Sequence, residues 1–202
     1  GGGGSNRSSY VPRHAYPSYA IWGDSAVLTF KVWLPTFKPS GRAGIALDQR
    51  GSVHVMLSPR GEDATSVSWS NGITFGLSAE EVGLLVNQIP VGQPVELLRK
   101  LQTDGTVEGS PVTDKVLTVT PGEHGSVTFK ADFSVDGKGG AGGNVPLEVR
   151  AEAGEVEVIK ICLKEAIPRI IGWTNLMDEE SRNRVEAAFQ NRGGGIGGGR
   201  GY

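Results

Sequence analysis

The chain has 202 residues, 38% of them hydrophobic and 21% charged, and a formal net charge of −2. That is enough for one domain with a real core, with no apolar run approaching a membrane span. It also excludes binding to nucleic acid through bulk positive charge, although the charge is unevenly spread. Lys31, Lys38, Arg42, Arg50 and Arg60 stand against Asp48 alone, whereas between residues 152 and 180 acids outnumber bases by four. A single cysteine, Cys162, permits no intrachain disulfide and fits a reducing compartment.

Residues 1–23 carry Arg7, Arg13 and no acid before Asp24, behind an opening GGGGS. Residues 1–18 read as a disordered arm or as the remnant of an organelle transit peptide, on a chain processed or trimmed at its start. From Ala26 to Trp33 the chain alternates Ala26, Leu28, Phe30 and Val32 against Val27, Thr29, Lys31 and Trp33. A period of two predicts a strand with the first set in the core and the second in solvent. Gly44–Leu47 predicts a strand, and so does Ser52–Ser58, with Val53, Val55 and Leu57 inward and His54 and Met56 outward. Thr65–Trp69 and Gly72–Gly76 read as strands joined by a tight Ser70-Asn71-Gly72 hairpin.

Ser78-Ala79-Glu80-Glu81 has the form of a capping box, and Val82, Leu85, Val86 and Ile89 follow at helical spacing before Pro90. Strands are expected again at Val116–Thr120, Ser126–Val135 and Val145–Arg150. Between the last two, Gly137–Gly142 satisfies a G-x-G-x-x-G spacing. A dinucleotide site needs a helix after that run, and a strand follows instead, so it reads as a hairpin loop. A second helix is expected from Glu155 to Ala166, its apolar stripe formed by Val158, Ile159, Cys162, Leu163, Ala166 and Ile167, bent or ended by Pro168. A short helix over Asp178–Gln190 and a glycine-rich end with Arg192 and Arg200 complete the chain. That end reads as a flexible tail or as an arm that touches phosphates. The order of elements predicts an α+β domain over 19–178, with a tail over 179–202.

Enzyme chemistry finds no support. His14, His54 and His124 have no partner at catalytic or metal-ligand spacing, and no cofactor or metal site is legible. What does suggest function is aromatic and basic character on the solvent side of strands. Lys31 and Trp33 share a face, offering a stacking plane and a phosphate-seeking charge two residues apart. His54 and Met56 fall on the equivalent side of the next long strand, after Arg50, and Lys38 adds to the same basic stretch. Trp69 precedes the hairpin, and Lys130 sits on the outward side of its strand. For Trp33 and Trp69, packing against a helix or a neighbouring protomer is an equal alternative.

Five strings in fixed order carry a family likeness: LPTFK (Leu34–Lys38), DQRGSV (Asp48–Val53), VSWSNGITFGLSAEEVG (Val67–Gly83), VLTVTPGEHGSVTFKADFSV (Val116–Val135) and AIPRIIGW (Ala166–Trp173). Over Tyr19 to Asp178 the chain resembles the Whirly family, organellar proteins of plants and algae that bind single-stranded DNA. The resemblance implies two packed four-stranded antiparallel sheets with helices mediating oligomerisation, no enzymatic activity and a homotetramer in the chloroplast or, failing that, the mitochondrion. It implies sequence-tolerant capture of single-stranded DNA in organellar genome maintenance and repair, with transcription or RNA metabolism as further roles, and the strand-face reading makes Lys31, Trp33, Lys38, Arg50, His54, Met56, Trp69 and Lys130 the candidate contacts. Ile159, Leu163, Ile167, Ile170 and Trp173 are the expected protomer contacts. RNA binding, or a protein–protein adaptor on the same scaffold, is the alternative. Land-plant members carry KGKAAL where this chain has Gly23-Asp24-Ser25-Ala26-Val27-Leu28, so tetramers without larger assemblies are expected.

Overall fold

The structure, a computed structural model, describes residues 18–40, 44–61, 66–102, 112–135, 138–139 and 146–177, with isolated positions at 179, 183 and 187. The expected N-terminal arm and glycine-rich tail lie outside the described residues. So do most of the Gly137–Gly142 loop and most of the Asp178–Gln190 helix, although Glu179, Asn183 and Ala187 are helical.

Two antiparallel sheets form the body. The first has the order β1-β2-β5-β6, built from β1 (Ser18–Trp22), β2 (Ala26–Trp33), β5 (Ser52–Pro59) and β6 (Ile73–Leu77). The second comprises β7 (Val95–Gln102), β8 (Val112–Pro121), β9 (Val127–Val135), β10 (Lys138–Gly139) and β11 (Leu147–Ala151), with β10 and β11 both pairing with β9. A hairpin of β3 (Thr36–Ser40) and β4 (Gly44–Gln49) is inserted between β2 and β5 as a separate two-stranded unit. Helix α1 (Ala79–Gln88) leads from the first sheet to the second, and α2 (Ala153–Ile170) and α3 (Trp173–Met177) follow β11.

Alternation decides what the two sheets bury between them. Leu28, Val55, Phe75, Leu117, Phe129 and Val149 are all fully buried inward positions. Phe30 and Phe129 meet edge to face across the sheets, ring centroids 5.7 Å apart. Each such side chain stabilises the fold by about 1.5–3 kcal/mol. The capping box forms as its spacing predicts: Ser78 Oγ accepts from the Glu81 N–H, and Glu81 Oε2 accepts from the Ser78 N–H at 3.0 Å. Glu81 also holds Arg99 of β7 at 2.6 Å, while Arg99 donates to the Gly76 carbonyl of β6, so one guanidinium ties the sheets together.

Several expectations need correction. Thr65–Trp69 does not form a strand among its described residues: Val67 makes one isolated bridge with Arg60, and Trp69–Asn71 is a 3-10 turn. The Asn-Gly signal fails because Gly72 is extended (φ −72°), whereas a two-residue hairpin of that kind requires positive φ. Strands β1, β3 and β7 were not anticipated. Helix α2 runs two residues beyond Pro168: the proline removes only its own i→i−4 bond, and the Ile171 N–H still donates to the Ile167 carbonyl. Cys162, expected on the core stripe, is exposed. The stripe α2 buries is instead Val156, Ile159, Leu163, Ala166 and Ile170.

The residues expected at protomer contacts differ in burial. Ile159, Leu163 and Ile170 are buried in the protomer's own core, and Ile167 is half-buried against the same core. Trp173 is 62% exposed, and Val158, Ile161 and Met177 are exposed apolar side chains of the same helical region.

Three of the motif strings converge where α2 ends. The Gly51 N–H donates to the Ile170 carbonyl at 2.7 Å, and a Cβ at Gly51 would collide with the Trp33 carbonyl. Gly172 takes φ +80° to end α2, the left-handed turn that glycine adopts without penalty. A Cβ there would press on Phe37 and Leu47 of the hairpin at 3.3 Å. The close approaches explain why glycine occupies both places.

Candidate nucleic-acid interface

Register assigns side chains to faces, because residues directly opposite in neighbouring strands project from the same side. Opposite pairs on the outward face of the first sheet form four rows. They are Trp22, Val27 and Ser58; Ala20, Thr29, Met56 and Thr74; Ser18, Lys31, His54 and Gly76; and Trp33 with Ser52. Lys31, Trp33, His54 and Met56 are therefore brought together as expected.

Trp33 stacks on His54 with centroids 5.1 Å apart and planes 27° from parallel. Trp33 is still 45% exposed, so part of its ring surface faces solvent. Burial first, and then the charge of Lys31 directly opposite, hold the His54 imidazole below its usual 6.5. The ring is therefore neutral at physiological pH and behaves as an aromatic plate rather than a cation. Beside it Lys31 supplies the positive charge, with no carboxylate ion pair among the described residues.

The other end of the face differs from expectation. Val27 and Thr29, predicted to be in solvent, are buried, as is Ser58. The chain after β5 folds back against Ser58 and Met56: the Ser68 N–H donates to the Pro59 carbonyl, and a Cβ at Gly72 would collide with Ser58 Oγ and lie 3.3 Å from Met56 Cγ. Trp69 rides on this turn, 52% exposed. Sequence reasoning missed two residues here. Trp22, 55% exposed, ends β1 on this face, and the Arg60 guanidinium lies 5.7 Å from its ring centroid. Arg60 is held in place by donating to the Gly23 carbonyl at 2.7 Å. The alternation of Tyr19 and Ile21 against Ala20 and Trp22 was the available signal.

The remaining expected residues are dispersed. Lys38 pairs with Asp48 at 3.2 Å on the β3–β4 hairpin, and Arg50 pairs with Glu80 at the start of α1, also at 3.2 Å. Both flank the Trp33 end of the face. Lys130 does not join them: it projects from the outer face of the second sheet, directly between Thr118 and Glu148. Among the described residues no group of His, Cys, Asp and Glu could hold a metal ion.

An outward sheet face that combines exposed aromatic rings with flanking cations has the chemistry to stack bases and meet phosphates. Residues 21–162 match the family model described as the Whirly transcription factor. The chain belongs to the Whirly family of DNA-binding transcription regulators. No curated protein sequence matches it.

Solved structures agree on the fold. WHY1 from Arabidopsis thaliana superposes with a TM-score of 0.70 at 19% identity, covering 95% of this chain and 100% of that one. The plant transcriptional regulator PBF-2 gives 0.67 at 21% identity, covering 89% and 97%. WHY3 from Arabidopsis thaliana gives 0.66 at 23% identity, covering 88% and 98%.

Proposed function

We propose that the outward face of the first sheet captures single-stranded DNA with little regard to sequence. The observation that carries this is the neutral His54 ring stacked on a half-open Trp33 beside Lys31. Every base has a π-face, so a stacking plate accepts any base, and each stack contributes about 1–3 kcal/mol. Duplex offers its bases no such access, because they are already stacked on one another. Trp22 under Arg60, with Trp69 on its turn, supplies further aromatic surface at the far end of the same face. Lys38 and Arg50 are phosphate contacts at the near end, and Lys130 reaches nucleic acid only if a neighbouring protomer presents it.

Family membership supports a role in an organelle, the chloroplast before the mitochondrion, in transcription, genome maintenance and repair. It also supports a homotetramer. In this chain the exposed Trp173, Ile161 and Val158 supply the apolar surface for assembly, in place of the buried α2 stripe.

Fluorescence anisotropy of the full chain with single-stranded DNA, single-stranded RNA and duplex, at several salt concentrations, tests the reading. Single-stranded DNA is expected to bind tightest. Duplex binding as tight as single-stranded, or equal binding to all three, would overturn it. Preference for RNA would move the ligand while keeping the site. Light scattering is expected to give about four times the chain mass without a dominant larger species. A monomer at micromolar concentration would refute the assembly.

A further inference from the structure

Among the cations predicted to meet phosphate at the Trp33 end, Lys38 and Arg50 are each held by a carboxylate of the same chain, while Lys31 has no carboxylate ion pair among the described residues. Asp48 Oδ1 sits 3.2 Å from Lys38 Nζ, and the Thr36 hydroxyl donates to Asp48 Oδ2 at 3.5 Å. Glu80 Oε1 sits 3.2 Å from Arg50 Nη1. Glu80 occupies the first turn of α1, where the helix dipole favours an anion. Its own backbone N–H, then the Ser78 side chain, with Arg50 beyond, hold its carboxyl below the usual range, so it is charged at neutral pH. All four charged ends are exposed. Exposed pairs contribute little to stability and exchange readily, so neither is needed to hold the fold.

Their position is what gives them consequence. Arg50 precedes Gly51, which lies against the Trp33 carbonyl, and Ser52, which stands opposite Trp33. Lys38 lies on the hairpin that starts just beyond Trp33. The two pairs thus lie on the segments that adjoin the Trp33 end of the face.

We propose that Asp48 and Glu80 are specificity determinants that penalise binding through phosphates alone. This deepens the single-stranded DNA reading and rests on it. A phosphate reaching Lys38 or Arg50 also meets the negative charge of Asp48 or Glu80 beside it, and that repulsion offsets part of what each contact would contribute. A single strand recovers the loss by stacking on Trp33 and its neighbours. A duplex cannot stack and has only phosphates to offer, at a higher charge density, so the penalty falls hardest on it. The carboxylates convert a weakly basic face into one that requires unstacked bases.

The test is Asp48→Asn with Glu80→Gln in the full chain, read by anisotropy with a thymidine oligomer and a duplex of equal length. Unchanged melting temperature confirms the fold. At low salt duplex affinity is expected to rise about tenfold and single-strand affinity about threefold, narrowing the preference about threefold. Glu165→Gln, an exposed carboxylate on α2, matches the net-charge change of either single substitution and is expected to change neither affinity. Unchanged duplex affinity overturns the proposal, and so does an equal rise for both ligands or the same rise with Glu165→Gln. Each single substitution gives part of the effect, so the result does not depend on one variant folding. Trp33→Ala in the otherwise unaltered chain separates the two ideas. If it leaves single-strand binding intact, the stacking site is refuted and this inference with it. If it weakens binding while the carboxylate variants change nothing, only this inference is lost.

Discussion

The two sheets share length, alternation and an inward face of valine, leucine and phenylalanine, yet their outward faces are chemically unlike. On the second sheet one row reads Glu96, Thr118, Lys130, Glu148 and another Thr120, Thr128, Arg150. Opposite charges sit beside each other between threonines, so the face is well solvated and its potential nearly cancels. On the first sheet the rows carry Trp22, Trp33, His54, Met56 and Lys31, with no acid in any of them. Period-two patterning makes both sheets, but only the side chains on the solvated half of the period separate a surface that keeps the protein in water from one that can hold a ligand.

Removing the aromatic surface should have the largest effect. Trp33→Ala is expected to weaken single-stranded DNA binding by about 1–3 kcal/mol, and Trp22→Ala by a similar amount, on poly-thymidine and mixed sequence alike. Anisotropy titrations measure it, with melting temperature as the check on folding. Loss confined to one sequence would show that the face reads bases instead of stacking them.

A smaller contrast compares one lysine from each face. Lys31→Ala should flatten the slope of log affinity against log salt by about 0.7, the contribution of one phosphate contact on a single strand. Lys130→Ala should leave the slope unchanged if its sheet takes no part, and an equal change would show that a neighbouring protomer brings the second face into the site.

The smallest effect concerns His54. Its imidazole is held below 6.5, so the unfolded chain binds this proton more readily than the folded one. Stability at this position is intact above 6.5 and is lost as the pH falls through the lowered folded value. The melting temperature of the native chain should therefore fall more between about pH 7.5 and pH 5.5 than that of His54→Phe, which keeps an aromatic ring against Trp33. Equal falls would show that the histidine titrates as it does in the unfolded chain.

Much of the fold was legible because it rests on local rules. The alternation over Ala26–Trp33 defines β2 to the residue, and Ser78 with Glu81 forms the capping box their spacing requires. The pairing of Lys31 and Trp33 on one face follows from the same rule, and the motif strings carry the family likeness by themselves. β1 and β7 escaped notice because their patterns are short or interrupted, and Trp22 and Arg60 were lost with β1.

What the sequence by itself determined, then, is which residues alternate, where helices begin, and that aromatic and basic groups share a strand face. Tertiary structure decided which of those faces stays open and which residues meet on it. Periodicity says which side of a strand a residue takes and is silent about what later covers that side: the turn ending at Gly72 comes back against Ser58, which is fully buried. In the same way α2 turns Ile159 and Leu163 inward and leaves Cys162 and Ile161 out, because the choice among apolar stripes on one helix depends on where the sheets lie. Lys130 and Lys31 follow the same local pattern and end on opposite sides of the molecule, since only the packing of one sheet on the other assigns each strand to its layer.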